Sequence, residues 1–483
     1  MSESIRRKHI LLATPPLIGH AVPLLQLGGK LSRHHRVTFA VSRSIVERFR
    51  DSLKEYDDRM GESSVRVVEV PERPSAYQPG EPRGGPSALR DIFNRTFPDM
   101  REFFASLRPN SSRTAIKNER FTHPSGVEDN DLFVDAVIVD NFLGGPASVL
   151  RQAGIPYYLF NTARVALTHV FLSLNMDVPE NYAKRDSPFA HAAGGGKMYD
   201  VHKEGNKDIL MENHETIPWA SGIIFNSLRA AEENSLREIA GLPGAESLKM
   251  FFVAPLCSQD LASQSEKPII HWLDDKPRGS VVYFALGSIA VPSAAQTAEI
   301  AKGLLLSKAP FIWSLPTAQH SHLPADIQRT IQEQNSQECP DPATPFLILP
   351  WVPQTAVLKH PSTGVFVSHC GWNSTLETLS CGVPVVGWPM FADQMLNAEW
   401  LETEAAGRLI PGTGETMESR LVAAEELANV VREVAGASSD DAVVGAGTPG
   451  YREGALKWQV KIREALADNG SSTQDFLKLA RFE

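Results

Sequence analysis

Short apolar runs alternate with longer helical patterns along both halves of this 483-residue chain. Strands that alternate with helices in this way form parallel sheets with helices on both faces. The runs predicted as strands are His9–Thr14, Val37–Val41, Val65–Val70, Ala136–Asp140, Tyr157–Asn161, Val281–Leu286, Phe311–Leu315, Phe346–Leu349, Gly364–Ser368 and Val383–Val386. The sequence therefore predicts an α/β protein with two doubly wound, Rossmann-like domains.

The polar stretch SQDLASQSEK lies between the two groups of predicted strands and has no periodic apolar pattern. We therefore expect a first domain over residues 1–257, a linker over 258–267 and a second domain over 268–462. Residues 463–483 are expected to carry a final helix, which opens at Gly470-Ser471-Ser472.

Two further polar segments, 108–131 and 437–450, are predicted as surface loops. The second contains GAGTPG, a match to the GxGxxG dinucleotide pattern, but only 33 residues follow it, too few for the rest of such a unit. The first contains Asp129-Asn130-Asp131, which resembles a D-x-D metal motif but has no second carboxylate cluster beside it. We interpret it as a solvated turn, and we predict neither a metal site nor a cofactor.

Charge and cysteine content limit the possible partners of the protein and its cellular compartment. A net charge of -10 disfavours nucleic acid or an anionic membrane as a partner. The four cysteines form no CxxC pair, so neither a disulfide framework nor a zinc site is indicated. The apolar run Ile10–Ala13 is too short for a signal-peptide core, and no run approaches the roughly 20 apolar residues of a spanning helix. We expect a cytoplasmic monomer without a membrane span.

Aromatic and polar groups cluster after the predicted strands between residues 351 and 394. Trp351 follows a strand, where an indole can stack on a planar base, although a core or rim tryptophan is the commoner role. His369-Cys370-Gly371 is a tight exit from the next strand, and a helix is predicted from Trp372 to Ser380 with Gly382 as its stop. Because the first turn carries no acidic residue, its N–H groups and dipole favour an anion such as a diphosphate.

Side chains around this helix can add contacts to the same ligand. His369, Asn373 and Ser374 can donate hydrogen bonds to a diphosphate; plain N-capping by Asn373 and Ser374 is the alternative, but it leaves the histidine unexplained. Glu377, one turn further on, can accept two ribose hydroxyls, although a surface glutamate is commoner. Asp393-Gln394 follows a further strand and can bind vicinal hydroxyls of a hexose. The spacing thus suits a nucleotide sugar.

A histidine and an aspartate follow two strands of the first half. His20 lies in the loop after the first predicted strand, before a helix predicted over Ala21–Ser32, and a histidine is well suited to accept a proton near neutral pH. Asp140 ends another apolar strand, where a carboxylate can orient an imidazole and stabilise the imidazolium. A structural or capping histidine is the commoner role for a single such residue.

The 44 residues from Trp351 to Gln394 resemble, nearly residue for residue, the signature box of the plant-type family 1 UDP-glycosyltransferases. The resemblance implies the GT-B fold, in which two Rossmann-like domains face a cleft and the last helix returns to the N-terminal domain. It implies His20 and Asp140 as the catalytic pair. It implies donor contacts at Gly19, Thr162, Ser288, Trp351, Val352, Gln354, His369, Gly371, Trp372, Asn373, Ser374, Glu377, Asp393 and Gln394.

The resemblance also assigns parts of the donor to these residues. It places Ser288 on a phosphate, Gln354 on the ribose and Thr162 on the donor sugar. Within the family, glutamine at position 394 goes with glucose. An arginine at position 372 would suit a sugar acid, whereas Trp372 fits a neutral hexose.

The expected reaction is an inverting, metal-independent transfer of glucose from UDP-glucose to a hydroxyl of a small lipophilic acceptor, with His20 as the base. Phe142, Tyr157, Phe171 and Trp219 are candidates for an apolar acceptor pocket, and core packing is as good an explanation of each. Two other functions stay open: a UDP-sugar epimerase of related fold, and a non-catalytic UDP-sugar-binding protein. The acceptor, and an O-, N- or S-linked product, are left open.

Overall fold

The computed structural model describes residues 6–47, 65–75, 85–112, 132–173, 216–242, 247–256, 267–335, 341–414, 420–436 and 450–482. Several sequence predictions fall outside these residues: the linker except Lys267, Asp129-Asn130-Asp131, and the loop 437–450 except Gly450. The described part divides into two compact units. The first contains the described residues before 262 together with 464–482, and the second those from 262 to 463.

A seven-stranded sheet forms the centre of the first unit, and all its neighbouring strands are parallel, in the order β3-β2-β1-β6-β7-β8-β9. The strands of this unit are β1 His9–Ala13, β2 Arg36–Ser42, β3 Val65–Val70, β4 Arg108–Pro109, β5 Phe133–Val134, β6 Ala136–Asp140, β7 Tyr157–Asn161, β8 Gly222–Phe225 and β9 Met250–Phe252. The helices are α1 Ile18–Ser32, α2 Gly85–Ser106, α3 Gly144–Gln152, α4 Val165–Ser173 and α5 Glu233–Ala240. The two-residue strands β4 and β5 pair separately.

A six-stranded parallel sheet forms the second unit, in the order β12-β11-β10-β13-β14-β15. Its strands are β10 Val281–Ala285, β11 Phe311–Ser314, β12 Phe346–Leu349, β13 Thr363–Ser368, β14 Val385–Gly387 and β15 Gly407–Leu409. Its helices are α6 Lys267–Asp274, α7 Ala294–Leu306, α8 Ala325–Asn335, α9 Gln354–Lys359, α10 Trp372–Cys381, α11 Gln394–Thr403, α12 Ala424–Ala435 and α13 Gly450–Leu466. Counted within the unit, this is the strand order 3-2-1-4-5-6 of dinucleotide-binding folds.

Each unit has apolar clusters of its own on the two faces of its sheet. In the first unit Leu11 and Leu12, neighbours on β1, belong to different clusters because successive strand residues point to opposite faces. In the second unit Val282 and Tyr283 of β10 divide in the same way. The strands are thus buried on both faces, which explains their continuous apolar runs.

The final helix, α14 Ser471–Arg481, belongs to the first unit, as the family resemblance implies. Asp475 accepts hydrogen bonds at 3.1 Å from the backbone N–H of Phe252 and from the guanidinium of Arg229. Nε2 of His35 lies 2.6 Å from the carbonyl oxygen of Ala480. Polar contacts along the helix therefore hold it against the first unit, with Asp475 bonded to β9.

The helix that carries His20 begins earlier than predicted. Sequence indicated Ala21–Ser32, whereas α1 begins at Ile18, because the N–H groups of His20 and Ala21 both bond to the Leu17 carbonyl, at 3.0 and 2.8 Å. His20 therefore lies in the first helical turn rather than in a loop. Within the described residues, no helix combines the length and the apolar character needed to cross a membrane.

Candidate active site

Both candidate sites lie where the strand order of a sheet reverses. In the first unit β1 has β2 on one side and β6 on the other, and His20 and Asp140 follow β1 and end β6. In the second unit β10 lies between β11 and β13, and His369 directly follows β13. Parallel sheets bind ligands at this point because the connections leave the carboxyl edge in opposite directions.

His20 and Asp140 form a hydrogen-bonded pair. Nδ1 of His20 lies 2.9 Å from Oδ2 of Asp140, and the second carboxylate oxygen accepts the N–H of Phe142 at 2.9 Å. The His20 side chain is 20% exposed and that of Asp140 is fully buried. An ionised carboxylate only accepts hydrogen bonds, so Nδ1 carries the hydrogen and Nε2 keeps a lone pair that can take a proton.

Thr162 lies next to the His20–Asp140 pair. Its hydroxyl lies 3.2 Å from Nδ1 of His20, and its side chain is buried. The family resemblance implied a contact with the donor sugar, and the hydroxyl contacts the imidazole of His20. Gly19 lies beside them, exposed in the first turn of α1.

Two phenylalanines extend the His20 environment. The half-buried Phe142 ring stacks on the imidazole with a centroid distance of 4.7 Å, and Phe93 of α2 meets Phe142 edge-on at 5.4 Å. Phe142 was a candidate for the acceptor pocket, and it does lie next to the candidate base. Sequence reasoning missed Phe93, whose one available signal was the apolar stripe of α2.

The other acceptor candidates have different surroundings. Tyr157 is a core residue whose hydroxyl donates to the Thr216 carbonyl at 2.7 Å, and burial raises its pKa to about 12, which favours the alternative explanation of core packing. Trp219 is 56% exposed and packs under the Arg151 guanidinium, 3.3 Å from the ring centroid. Phe171 lies in α4, and its side chain is outside the described residues.

The imidazole of His369 is flanked by two glycines. A Cβ atom at Gly287 would lie 2.8 Å from Nε2, and one at Gly371 would lie 2.6 Å from the same atom. Nδ1 is buried and has no hydrogen-bond partner among the described residues. Burial lowers the pKa of His369 to about 4, so the ring is neutral near pH 7 and carries one N–H to donate.

The helix that follows has a glycine at its N-cap. α10 begins at Trp372, and its N-cap residue Gly371 has no side chain that could cap the helix. Gly382 ends the helix in the left-handed conformation, with φ of 67°, as predicted. The N–H groups of the first turn and the helix dipole can therefore serve an anion.

A hydrogen-bond network joins α9 to α10. The Gln354 amide donates to Oγ of Ser374 at 3.1 Å and to Oε2 of Glu377 at 2.5 Å, and its oxygen accepts from the Tyr283 hydroxyl at 3.3 Å. Burial raises the pKa of Glu377 to about 6, against the opposing effect of the Gln354 bond. Tyr283, which completes this network, is buried on β10 and stacked on Phe366, and no sequence pattern marked it.

The two predicted hexose ligands lie at the start of α11. Oε1 of Gln394 accepts hydrogen bonds from the N–H groups of Met390 and Phe391 at 2.8 and 3.0 Å, which leaves the amide nitrogen as the donor end of this side chain. Asp393 precedes it as the N-cap residue of α11, and its carboxylate accepts a bond from Asn397, a residue that sequence reasoning missed.

The remaining donor candidates divide into exposed and buried groups. Trp351 is 62% exposed after β12, and Ser288 lies on an exposed turn after β10. Val352 is buried in a core cluster. The Trp372 indole is also buried and packs edge-on against Trp400, so its ring takes part in joining α10 to α11.

Among the described residues, no group of three or more His, Cys, Asp or Glu side chains is arranged to hold a metal ion. Two Rossmann-like units, one with a His–Asp pair and the other with a helix N-terminus beside a neutral histidine, are features of the GT-B fold.

Known proteins agree with this class. The family model described as UDP-glucoronosyl and UDP-glucosyl transferase matches residues 243–439. The chain is 28% identical to the crocetin glucosyltransferase, chloroplastic, of Gardenia jasminoides, with 98% of this chain and 96% of that protein aligned. It is 27% identical to UDP-glycosyltransferase 72B1 of Arabidopsis thaliana, with 98% and 95% aligned.

Solved structures share the fold over the whole chain. A Polygonum tinctorium UDP-glucosyltransferase capable of glucosylating indoxyl matches with a TM-score of 0.75 at 25% identity, covering 99% of each chain. Medicago truncatula UGT71G1, complexed with UDP-glucose, matches with a TM-score of 0.73 at 22% identity, covering 100% of each chain. The chain is thus similar to plant UDP-glycosyltransferases over nearly its whole length, and these matches indicate an enzyme with UDP-glycosyltransferase activity. Neither the epimerase nor the non-catalytic alternative is supported.

Proposed function

We propose that this enzyme transfers glucose from UDP-glucose to a hydroxyl of a small lipophilic acceptor, with inversion, to give a β-glucoside. The acceptor classes we propose are phenolic, flavonoid, terpenoid and hormone-like alcohols, as in secondary metabolism or detoxification. The observation that carries the proposal is the His20–Asp140 bond of 2.9 Å, which leaves Nε2 of His20 as a proton acceptor.

In the proposed step, Nε2 of His20 takes the acceptor's hydroxyl proton as its oxygen bonds to the anomeric carbon. The bond from that carbon to the diphosphate oxygen breaks at the same time, and UDP leaves with the electron pair. Asp140 stabilises the imidazolium that forms. The first-turn N–H groups of α10 and the N–H of neutral His369 stabilise the charge on the diphosphate without a metal.

Glucose as the donor sugar is supported by the fixed orientation of Gln394. Its oxygen is bound by two backbone N–H groups, so the amide nitrogen can only donate, whereas the Asp393 carboxylate can only accept. A donor next to an acceptor suits two vicinal hydroxyls of a neutral hexose. Relatives named as glucosyltransferases of crocetin and of anthocyanidin agree with this donor and with a lipophilic acceptor.

The acceptor class is supported by the aromatic surroundings of His20. The ring of Phe142 stacks on the imidazole and is backed by Phe93, which gives an apolar neighbourhood to the candidate base. Planar phenols can stack on such rings. We further propose a monomer located in the cytosol; light scattering and cell fractionation test these two points.

The decisive measurement is UDP release from UDP-glucose in EDTA, with and without a panel of phenolic and terpenoid acceptors. We expect release that depends on the acceptor, and a β-linked product by NMR. His20→Ala should lower kcat by roughly 10²–10⁴-fold, the contribution of a positioned base, while UDP still binds. Asp140→Asn, which no longer fixes which ring nitrogen of His20 carries the hydrogen, is measured beside it. Near-normal turnover in His20→Ala, or loss of activity in EDTA alone, would contradict the mechanism.

A further inference from the structure

Asn397 lies between two parts of the donor site. It is fully buried on α11, one turn after Asp393. Its Nδ2 atom donates to the Cys370 carbonyl at 2.9 Å and to Oδ2 of Asp393 at 3.0 Å. One amide group thus contacts both the turn that follows β13 and the carboxylate at the start of α11.

The Cys370 end of this bridge holds a strained turn. Cys370 has φ of 61°, in the left-handed region that non-glycine residues rarely adopt, and its N–H bonds to Oγ of Ser368 at 3.1 Å. His369 and Gly371 are its direct neighbours. Whatever holds the Cys370 carbonyl therefore also sets the imidazole and the N-cap residue of α10.

The chemistry of the bridge requires an asparagine. Each of the two N–H groups of the Asn397 amide donates to one acceptor. An aspartate, leucine or serine of similar size cannot donate both of these hydrogen bonds. Oδ1 of Asn397 is buried without a hydrogen-bond partner among the described residues. An unsatisfied buried acceptor is unfavourable for stability, so packing alone does not explain an amide at this position.

We propose that Asn397 is a positioning residue that sets the diphosphate-binding turn 369–371 and the hexose-binding carboxylate Asp393 in one arrangement. The inference rests on the proposed function, in which Asp393 contacts the hexose. It assigns to Asn397 a role in sugar binding although the side chain is buried beneath the site.

The test compares calorimetric Kd values for UDP and for UDP-glucose, which differ by the hexose. Asn397→Leu, which keeps the volume and removes both bonds, should weaken UDP binding and should weaken UDP-glucose binding by about tenfold more, a difference equal to about 1.4 kcal/mol. Asn397→Ser, which can donate one bond, should be intermediate and keeps the test valid if the leucine variant fails to fold.

The matched control is Asn226→Leu, at a buried asparagine of the other unit whose oxygen accepts the Leu256 N–H at 2.9 Å. It should lower the melting temperature without changing the ratio of the two Kd values. In an Asp393→Ala background the extra loss for UDP-glucose should disappear. An unchanged ratio in the Asn397 variants, or an equal loss in that background, would overturn the inference. Failure of the wild-type enzyme to bind UDP-glucose would instead overturn the proposed donor.

Discussion

There is little space between the His369 ring and Gly371 at the N-terminus of α10, the end expected to bind an anion. A Cβ atom at Gly371 would lie 2.6 Å from Nε2 of His369, and Gly371 has an ordinary φ of -57°. Gly371→Ala should therefore displace the imidazole without straining the backbone. Because a hydrogen bond to a charged group contributes about 1.5–3 kcal/mol, we expect UDP binding to weaken by roughly ten- to a hundredfold in calorimetry.

Gly450→Ala is the control for this substitution, since no atom of the described residues lies within 4 Å of a Cβ atom built there. It should leave the Kd for UDP unchanged. If Gly371→Ala also bound UDP normally, the imidazole would not be a ligand of the nucleotide.

Glu377 makes donor binding depend on pH. Burial raises the pKa of this carboxyl to about 6, and it must be ionised to accept ribose hydroxyls. The Kd for UDP-glucose should thus be constant above about pH 7 and rise as the pH falls through 6, because binding then requires release of a proton. Calorimetry between pH 5 and 8 measures this, and UDP-glucose is the probe because its diphosphate does not titrate in this range.

Glu377→Gln should bind UDP-glucose more weakly and with a flat pH profile. A wild-type Kd that stays constant down to pH 5 would show that the carboxyl is not the ribose ligand.

At the scale of single residues, the sequence could predict those site residues whose place in the chain marks them. His20 and Asp140 were candidates because each follows or ends an apolar strand, and strand ends meet at one edge of a parallel sheet. The family resemblance then selected them as the catalytic pair. Tyr283 and Asn397 were missed because their roles depend on partners far away in the chain: Tyr283 bonds to Gln354, 71 positions on, and Asn397 to Cys370, 27 positions back. The low pKa of His369 depends likewise on tertiary burial.

Among the elements, several apolar strands were predicted with their correct bounds, whereas the three-residue strands β14 and β15 were not. The bounds of Ala136–Asp140 and Phe346–Leu349 agree with those predicted. The strand predicted at Val383–Val386 begins instead at Val385, because Pro384 has no N–H for the ladder. β15 has three residues, one of them an arginine, so no apolar run marked it.

The buried His35 beside helix α14 should make the first unit sensitive to acid. Burial lowers the pKa of this imidazole, against the raising effect of its bond to the Ala480 carbonyl; the ring also faces His34, Lys8 and Asp135. The ordinary pKa of 6.5 applies when the chain is unfolded, so between the lowered value and 6.5 the unfolded chain binds more protons than the folded one. The free energy of unfolding therefore falls as the pH falls through this window.

His35→Gln should reduce that slope, by at most about 1.4 kcal/mol per pH unit. Hydrogen exchange of slowly exchanging amides in β1 and β2, corrected for intrinsic rates from pH 7 to 5, measures it. If the free energy of unfolding varied with pH in the same way in wild type and variant, His35 would not be the group that binds a proton on unfolding.

At the scale of the whole molecule, two sheets share the strand order 3-2-1-4-5-6, the first with one strand more. Sequence predicted two doubly wound domains from strand–helix alternation. It could not give the neighbours of each strand, because pairing between distant segments leaves no local signal. Strand order is nevertheless what brings His20 to Asp140 in one unit and the β10 and β13 ends together in the other.

Each unit has its own apolar clusters, so we expect the two to unfold as separate cooperative bodies. UDP at about 100 times its Kd should stabilise only the unit that binds it, by about 2.7 kcal/mol. Slowly exchanging amides of β10 and β13 should then exchange about 100-fold more slowly, while those of β1 and β6 keep their rates. Gly371→Ala at the same UDP concentration should show much less protection. Equal slowing in both sheets would mean that the units unfold as one body, and the cooperative unit would then be the whole chain rather than each sheet with its helices.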